Sequence, residues 1–187
     1  MSVDVQRFRN GRYLHLSVIL RARTTKRTLG TAWLPRLAVE LIQLEAGEVF
    51  PLETGGILMG YWAEPDVVIT DVIGPGPKAV HYPMGFLPDA EYHENEVARI
   101  YQQTDRISTY LGDWHTHPCG STRLSRRDRK TMQRIARSDE ARCTKPLMGV
   151  FAGGKSEWNV DIWRFNQAGF LLSLLGRDVA ALNVVLY

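Results

Sequence analysis

With 187 residues, 44% hydrophobic and 23% charged, the chain is long enough for a real core and too ordinary in composition to be disordered or fibrous. A formal net charge of +3 is mild, and two cysteines, Cys119 and Cys143, are too few for a disulfide framework. The N-terminal ten residues lack an apolar stretch, and Arg177 and Asp178 interrupt the apolar tail Phe170–Tyr187, so neither a secretory signal nor a membrane span is expected; a cytoplasmic enzyme is the default.

Tyr13–Leu20 has strand propensity and partial alternation. Leu34, Leu37, Leu41 and Leu44 recur at helical spacing, with Pro35 in the first turn and Gly47 as the expected stop. Gly56–Trp62 and Asp66–Ile73 read as antiparallel neighbours across a turn at Ala63–Pro65, and Gly74–Lys78 breaks the chain. Val80–Leu87 has room for a short strand. Asp89 then N-caps a helix to about Gln103 with Val97, Ile100 and Tyr101 inward. A strand over Leu111–His117, a helix from Ser125 to about Ala136, and strands over Pro146–Ala152 and Trp158–Phe165 around Gly153–Gly154 complete the order. Hairpins mixed with a few helices indicate an α+β fold in a single domain spanning 1–187.

The run Asp113-Trp-His-Thr-His-Pro-Cys-Gly-Ser-Thr-Arg-Leu-Ser-Arg-Arg-Asp128 carries the most chemistry. On a strand, side chains alternate, so His115 and His117 point to one face and Trp114 to the other, where it reads as core. Pro118 ends the strand after the second histidine. Asp128 is the candidate third ligand: two neutral imidazoles and a carboxylate suit zinc and leave a fourth position for water, which is an arrangement for hydrolysis. Ser125-x-x-Asp128 also reads as a helix N-terminus, with serine as N-cap and the acid favouring the positive helix end. The readings are compatible, because i and i+3 are neighbours on a helix.

A bound water becomes nucleophilic once its pKa falls toward ~7, and a carboxylate is still needed to carry its proton. Glu53, in Leu52-Glu-Thr-Gly-Gly-Ile-Leu-Met-Gly60, is the candidate; the alternative is a solvated strand end. Arg123, Arg126, Arg127, Arg129, Lys130, Arg134 and Arg137 crowd one stretch, either as a solvated helix face or as a docking surface for an acidic partner or nucleic acid. Arg21, Arg23, Lys26 and Arg27 form a further cluster. Cys119 is redundant beside a complete ligand set. His93, Glu94 and Glu96 read as a solvated helix turn, His81 and Asp113 as partners that fix an imidazole tautomer, and His15 has no role assigned.

Glu53-Thr-Gly-Gly-Ile-Leu-Met-Gly, followed by His115-Thr-His117-Pro118, six residues, Ser125, two residues and Asp128, resembles the JAMM (JAB/MPN) metalloprotease family. The resemblance covers most of the chain from about Leu29 to Phe165, and every position of the pattern is filled. It implies a curved mixed β-sheet flanked by helices and one catalytic zinc ion. His115, His117 and Asp128 would hold the metal, Glu53 would act as base and then acid, and Ser125 would donate a hydrogen bond to the oxyanion, at a cost to its cap. Members lacking these residues are inactive scaffolds, and this chain keeps them.

Leu111-Gly-Asp-Trp-His-Thr-His-Pro is similar to small bacterial JAB proteins, including those of CBASS-type anti-phage operons that remove conjugates from a ubiquitin-like ligation system. The leading expectation is therefore an isopeptidase acting after the C-terminus of a ubiquitin-like or similarly conjugated protein, with E1- or E2-like operon partners. Trimming of a sulfur-carrier protein would use the same chemistry. A nucleic-acid-associated module resting on the basic stretch 123–137 is the competing class.

Overall fold

The computed structural model describes residues 30–166 and 178–187. The strand expected over Tyr13–Leu20 and the basic cluster Arg21–Arg27 lie outside them. The first described strand, β1 (Thr31–Leu34), takes Leu34, which the helical spacing assigns to the following helix. Pro35 separates the two, standing as N-cap of α1 (Arg36–Val49). The helix passes through Gly47 and ends beside Pro51, whose ring disfavours helical backbone at Phe50.

The face of α1 also differs from expectation. Leu37, Leu41 and Leu44 are 65%, 50% and 59% exposed, while Ala38, Val39, Ile42 and Ala46 are buried. Both sets recur at helical spacing, so periodicity identifies the helix without choosing its inner stripe. The small side chains Ala38 and Ala46 let the helix lie close on the sheet.

The remaining elements are β2 (Gly55–Ala63), β3 (Asp66–Ile73), β4 (Val80–Tyr82), β5 (Gly85–Leu87), α2 (Ala90–Gln103), β6 (Thr109–Pro118), α3 (Arg126–Arg137), β7 (Leu147–Gly153), β8 (Trp158–Phe165), β9 (Val179–Ala181) and β10 (Asn183–Leu186). Eight strands form one sheet in the order β10-β1-β3-β2-β6-β7-β8-β9, and β4 and β5 form a separate hairpin. The β1–β10, β1–β3 and β6–β7 pairs are parallel and the others antiparallel. β9 runs along β8 and β10 along β1, so one short segment joins the two edges and curves the sheet. Between them the Leu182 N–H donates to Ile162 O at 2.9 Å. No described helix is long and apolar enough to cross a membrane.

Strand alternation splits the core in two directions. Leu58, Leu111, Trp114, Leu147 and Phe151 pack with α1 on one face. Ile57, Met59 and Ile73 meet Ile100 of α2 on the other, where Met148, Val150 and Phe165 meet Met132 of α3. Asp89 caps α2, accepting from the Tyr92 N–H at 3.2 Å. Ile100 is buried as expected, Val97 is partly buried, and Tyr101 is exposed.

A bulge in β6 sets the site face. Leu58 pairs with Gly112 and Met59 with Tyr110, leaving Leu111 as the extra residue. Tyr110, three positions before Asp113, thus faces the same side as Asp113, His115 and His117. Gly112 has φ +145°, and a Cβ there would lie 2.1 Å from Leu147 O, so only glycine fits.

Candidate metal centre and active site

His115 and His117 stand on the last turn-free stretch of β6, between β2 and β7. Their Nε2 atoms are 2.9 Å apart. Asp128, in the first turn of α3, approaches from the side, with Oδ1 3.4 Å from His115 Nε2 and Oδ2 3.7 Å from His117 Nε2. One ligand atom from each of the three residues lies within 4.8 Å of the others. His117 Nδ1 is 2.8 Å from Ser121 O and donates to it, which leaves Nε2 as the lone-pair atom facing Asp128.

These atoms fit a single divalent cation. Bonds of about 2.0–2.1 Å at tetrahedral angles separate ligand atoms by roughly 3.3 Å, close to the spacings present. The donor set of two imidazoles and one carboxylate is also of the right chemical type. Burial pushes the Asp128 carboxyl up, but the hydrogen bond and charge of His115, with bonds from Ser125, outweigh it and hold the group well below the usual carboxylate range.

Ser125 is the N-cap of α3 in a reciprocal capping box. Its Oγ accepts from the Asp128 N–H at 3.2 Å, while its own N–H donates to Asp128 Oδ2 at 2.6 Å. The box orients the carboxylate as well as the helix. The hydroxyl accepts in the cap through a lone pair, a bond that does not use its hydrogen.

Glu53 lies just before β2, where the Thr54 N–H donates to Thr116 Oγ1 at 2.9 Å and the Thr116 N–H to Thr54 O at 2.8 Å. Gly55 pairs with His115, which brings Glu53 beside the two histidines. A Cβ at Gly55 would lie 2.4 Å from Trp114 O and 2.5 Å from the Phe86 ring, so glycine allows the chain to pass closely there. The Glu53 N–H donates to Tyr82 O at 2.8 Å, and His81 Nδ1 lies 3.0 Å from Glu53 O. His81 therefore anchors the Glu53 backbone and does not set an imidazole tautomer. Burial raises the Glu53 carboxyl above its ordinary range, against the opposing pull of His115 and His117.

Other residues depart from expectation. Asp113 accepts from the Tyr110 hydroxyl at 2.7 Å, a bond made possible by the bulge and so invisible to simple alternation. His93 is not solvated: its Nε2 meets Gly74 O at 2.8 Å and ties α2 to the preceding loop. Glu94 is exposed, and Glu96 pairs with Arg99 at 2.6 Å. Trp114 is core as expected, donating from Nε1 to Ile73 O at 3.0 Å. Cys119 is exposed and outside the ligand trio. Sequence reasoning missed Ser121, whose contribution is a backbone carbonyl and leaves no residue signature.

Glu53, His115 and Asp128 open into a cavity of about 570 Å³ between β6, α3 and the β4–β5 hairpin. Arg127, Lys130 and Arg134 line it, at one helical spacing along α3. The basic run is thus divided, because Arg129 instead pairs with Asp178 at 3.2 Å.

A curved mixed sheet with this site at the β6–α3 junction defines a hydrolase of the JAMM type. Residues 36–166 match the model of the prokaryotic homologs of the JAB domain, and the chain belongs to that family. It is 41% identical over 133 residues to the probable metalloprotease y4qB of Sinorhizobium fredii, covering 70% of this chain and 81% of that protein. A CD-NTase/cGAS isopeptidase of Escherichia coli is 32% identical over 108 residues, 57% of this chain and 65% of that protein. The Vibrio cholerae protein of the same description is 26% identical over 106 residues, with shares of 57% and 65%. The solution structure of DSY2949 from Desulfitobacterium hafniense shares the fold, with a TM-score of 0.52, 15% identity, and coverage of 84% of this chain and 92% of that one.

Proposed function

We propose that the protein is a zinc-dependent isopeptidase or peptidase that cleaves after the C-terminal residue of a ubiquitin-like or similarly conjugated protein. The observation that carries this reading is the convergence of His115, His117 and Asp128 within 4.8 Å, with Glu53 opening into the same cavity as His115 and Asp128. Those three residues would hold one zinc ion, which supplies Lewis acidity to the scissile carbonyl and to the attacking water. Glu53 takes the proton of that water and returns it to the leaving nitrogen; its raised affinity for protons suits both halves of the transfer. The free hydrogen of the Ser125 hydroxyl is donated to the carbonyl oxygen as charge develops there. An extended substrate tail would enter along a strand edge.

The isopeptidase descriptions of the relatives support a protein conjugate as substrate; the place in anti-phage defence beside E1- or E2-like partners rests on the sequence resemblance alone. The test is metal content together with cleavage of a ubiquitin-like C-terminal fusion by wild type and Glu53→Ala. One equivalent of zinc with cleavage lost only in the variant is expected. Wild-type turnover by Glu53→Ala, or a folded protein that takes up no zinc, would refute the assignment.

A further inference from the structure

The cavity leading away from the site has an uneven character. Ile57, Met148 and Phe86 give its floor and hairpin side apolar surface beside the Tyr110–Asp113 pair, whereas its α3 side carries Arg127, Lys130 and Arg134. Positions 127, 130 and 134 are three and four residues apart and form one stripe on the helix. Arg127 donates to Met84 O at 3.2 Å, which pins the hairpin across the mouth. Among the described residues, none of the three cations is held in an ion pair.

The carboxylates on the cavity wall are Glu53 and Asp128 at the catalytic end and Asp113 on the floor. Asp113 already accepts the Tyr110 hydroxyl at 2.7 Å. Positive charge therefore outweighs negative along α3 beyond the site. A helix rises about 1.5 Å per residue, so Arg134 stands roughly 9 Å along the axis from Asp128. An extended peptide covers that distance in about three residues.

We propose that this stripe is a specificity element for an acidic substrate segment: Lys130 and Arg134 receive an aspartate or glutamate two to three residues from the scissile carbonyl. This rests on the peptidase reading and adds the sign of the charge that the substrate presents. The apolar side chains Ile57, Met148 and Phe86 in the wall and the hairpin across the mouth favour a single extended peptide over a nucleic acid. Arg129, on the same helix, is paired with Asp178, while Arg126 and Arg137 are exposed outside the cavity.

Two measurements test it. In the first, the Glu53→Gln protein is titrated with fluorescein-labelled hexapeptides that differ only in Asp, Asn or Lys at the second and third positions on either side of the bond. The Asp peptide should bind about fivefold to tenfold tighter than the Asn peptide at low salt, and the gap should close at 0.5 M salt. Lys130→Glu with Arg134→Glu, both exposed, should invert the order in favour of Lys. Equal binding of all three peptides, or a preference for Lys in the unaltered stripe, overturns the proposal. A single-stranded oligonucleotide that displaces the Asp peptide and binds more tightly than it would overturn it in favour of nucleic acid.

The second measurement is kcat/KM of wild type on the same hexapeptides carrying a fluorophore at one end and a quencher at the other. Glu53-dependent cleavage without any preference for Asp sinks the specificity element and leaves the peptidase reading standing. Selective binding of Asp peptides with no cleavage of any sequence does the reverse.

Discussion

Replacing Ser125 by alanine and by glycine separates its two tasks. The cap rests on one bond, from the Asp128 N–H to Ser125 Oγ at 3.2 Å, while the return bond from the Ser125 N–H to Asp128 belongs to the backbone and survives any substitution. Losing a serine cap to alanine costs about 1 kcal/mol, whereas glycine costs only a few tenths. For a chain of this size that is about 2–4 °C in Tm for alanine and under about 1 °C for glycine. Both variants lack the hydroxyl, so both should lose about 10²–10³ in kcat if it stabilises the developing oxyanion. Urea unfolding and single-turnover cleavage of one fluorogenic tail substrate read the two quantities separately. A glycine variant that regains the rate along with the stability would refute the oxyanion role and leave Ser125 as a cap alone.

Four further outcomes follow from the packing. Gly112→Ala should abolish soluble expression or cost about 2–4 kcal/mol in urea unfolding, because the new Cβ meets Leu147 O at 2.1 Å where the β6–β7 pair begins. Trp114→Phe should cost about 2 kcal/mol by the same measurement, since it leaves the buried Ile73 carbonyl without its 3.0 Å donor. Cys119 is exposed and should react with a thiol reagent in the native protein, whereas Cys143 should react only on unfolding. Burial pushes the Cys143 thiol up to about 11, from 9.0. The folded state then holds the proton that the unfolded chain releases first, so stability should fall as the pH rises from 9 toward 11, and less so in Cys143→Ala.

The candidate metal ligands and Ser125 were legible in the chain because their pattern is local. Two histidines at i and i+2 share a strand face, and a serine and an acid at i and i+3 share a helix end, whatever the surroundings. The central strands were legible too: β3 and β8 alternate in part, β2 and β7 are short apolar runs, and all four are bounded by turn residues. The leucine stripe of α1 was misread because a helix with two apolar stripes does not say which one meets the sheet. Tyr110 was missed because one extra residue at Leu111 reverses which side it faces, and that bulge exists only in the pairing with β2.

Sequence alone thus determined the chemistry available: two imidazoles, a carboxylate on a helix, a second carboxylate at a strand entrance, and a family pattern that joins them. Tertiary structure decided what each group faces. It placed Glu53 beside the histidines through the β2–β6 register, and it turned Ser125 and Asp128 into mutual partners. It also divided the basic run between a cavity wall and an ion pair with Asp178. Those outcomes depend on contacts between residues tens of positions apart, which no local periodicity records.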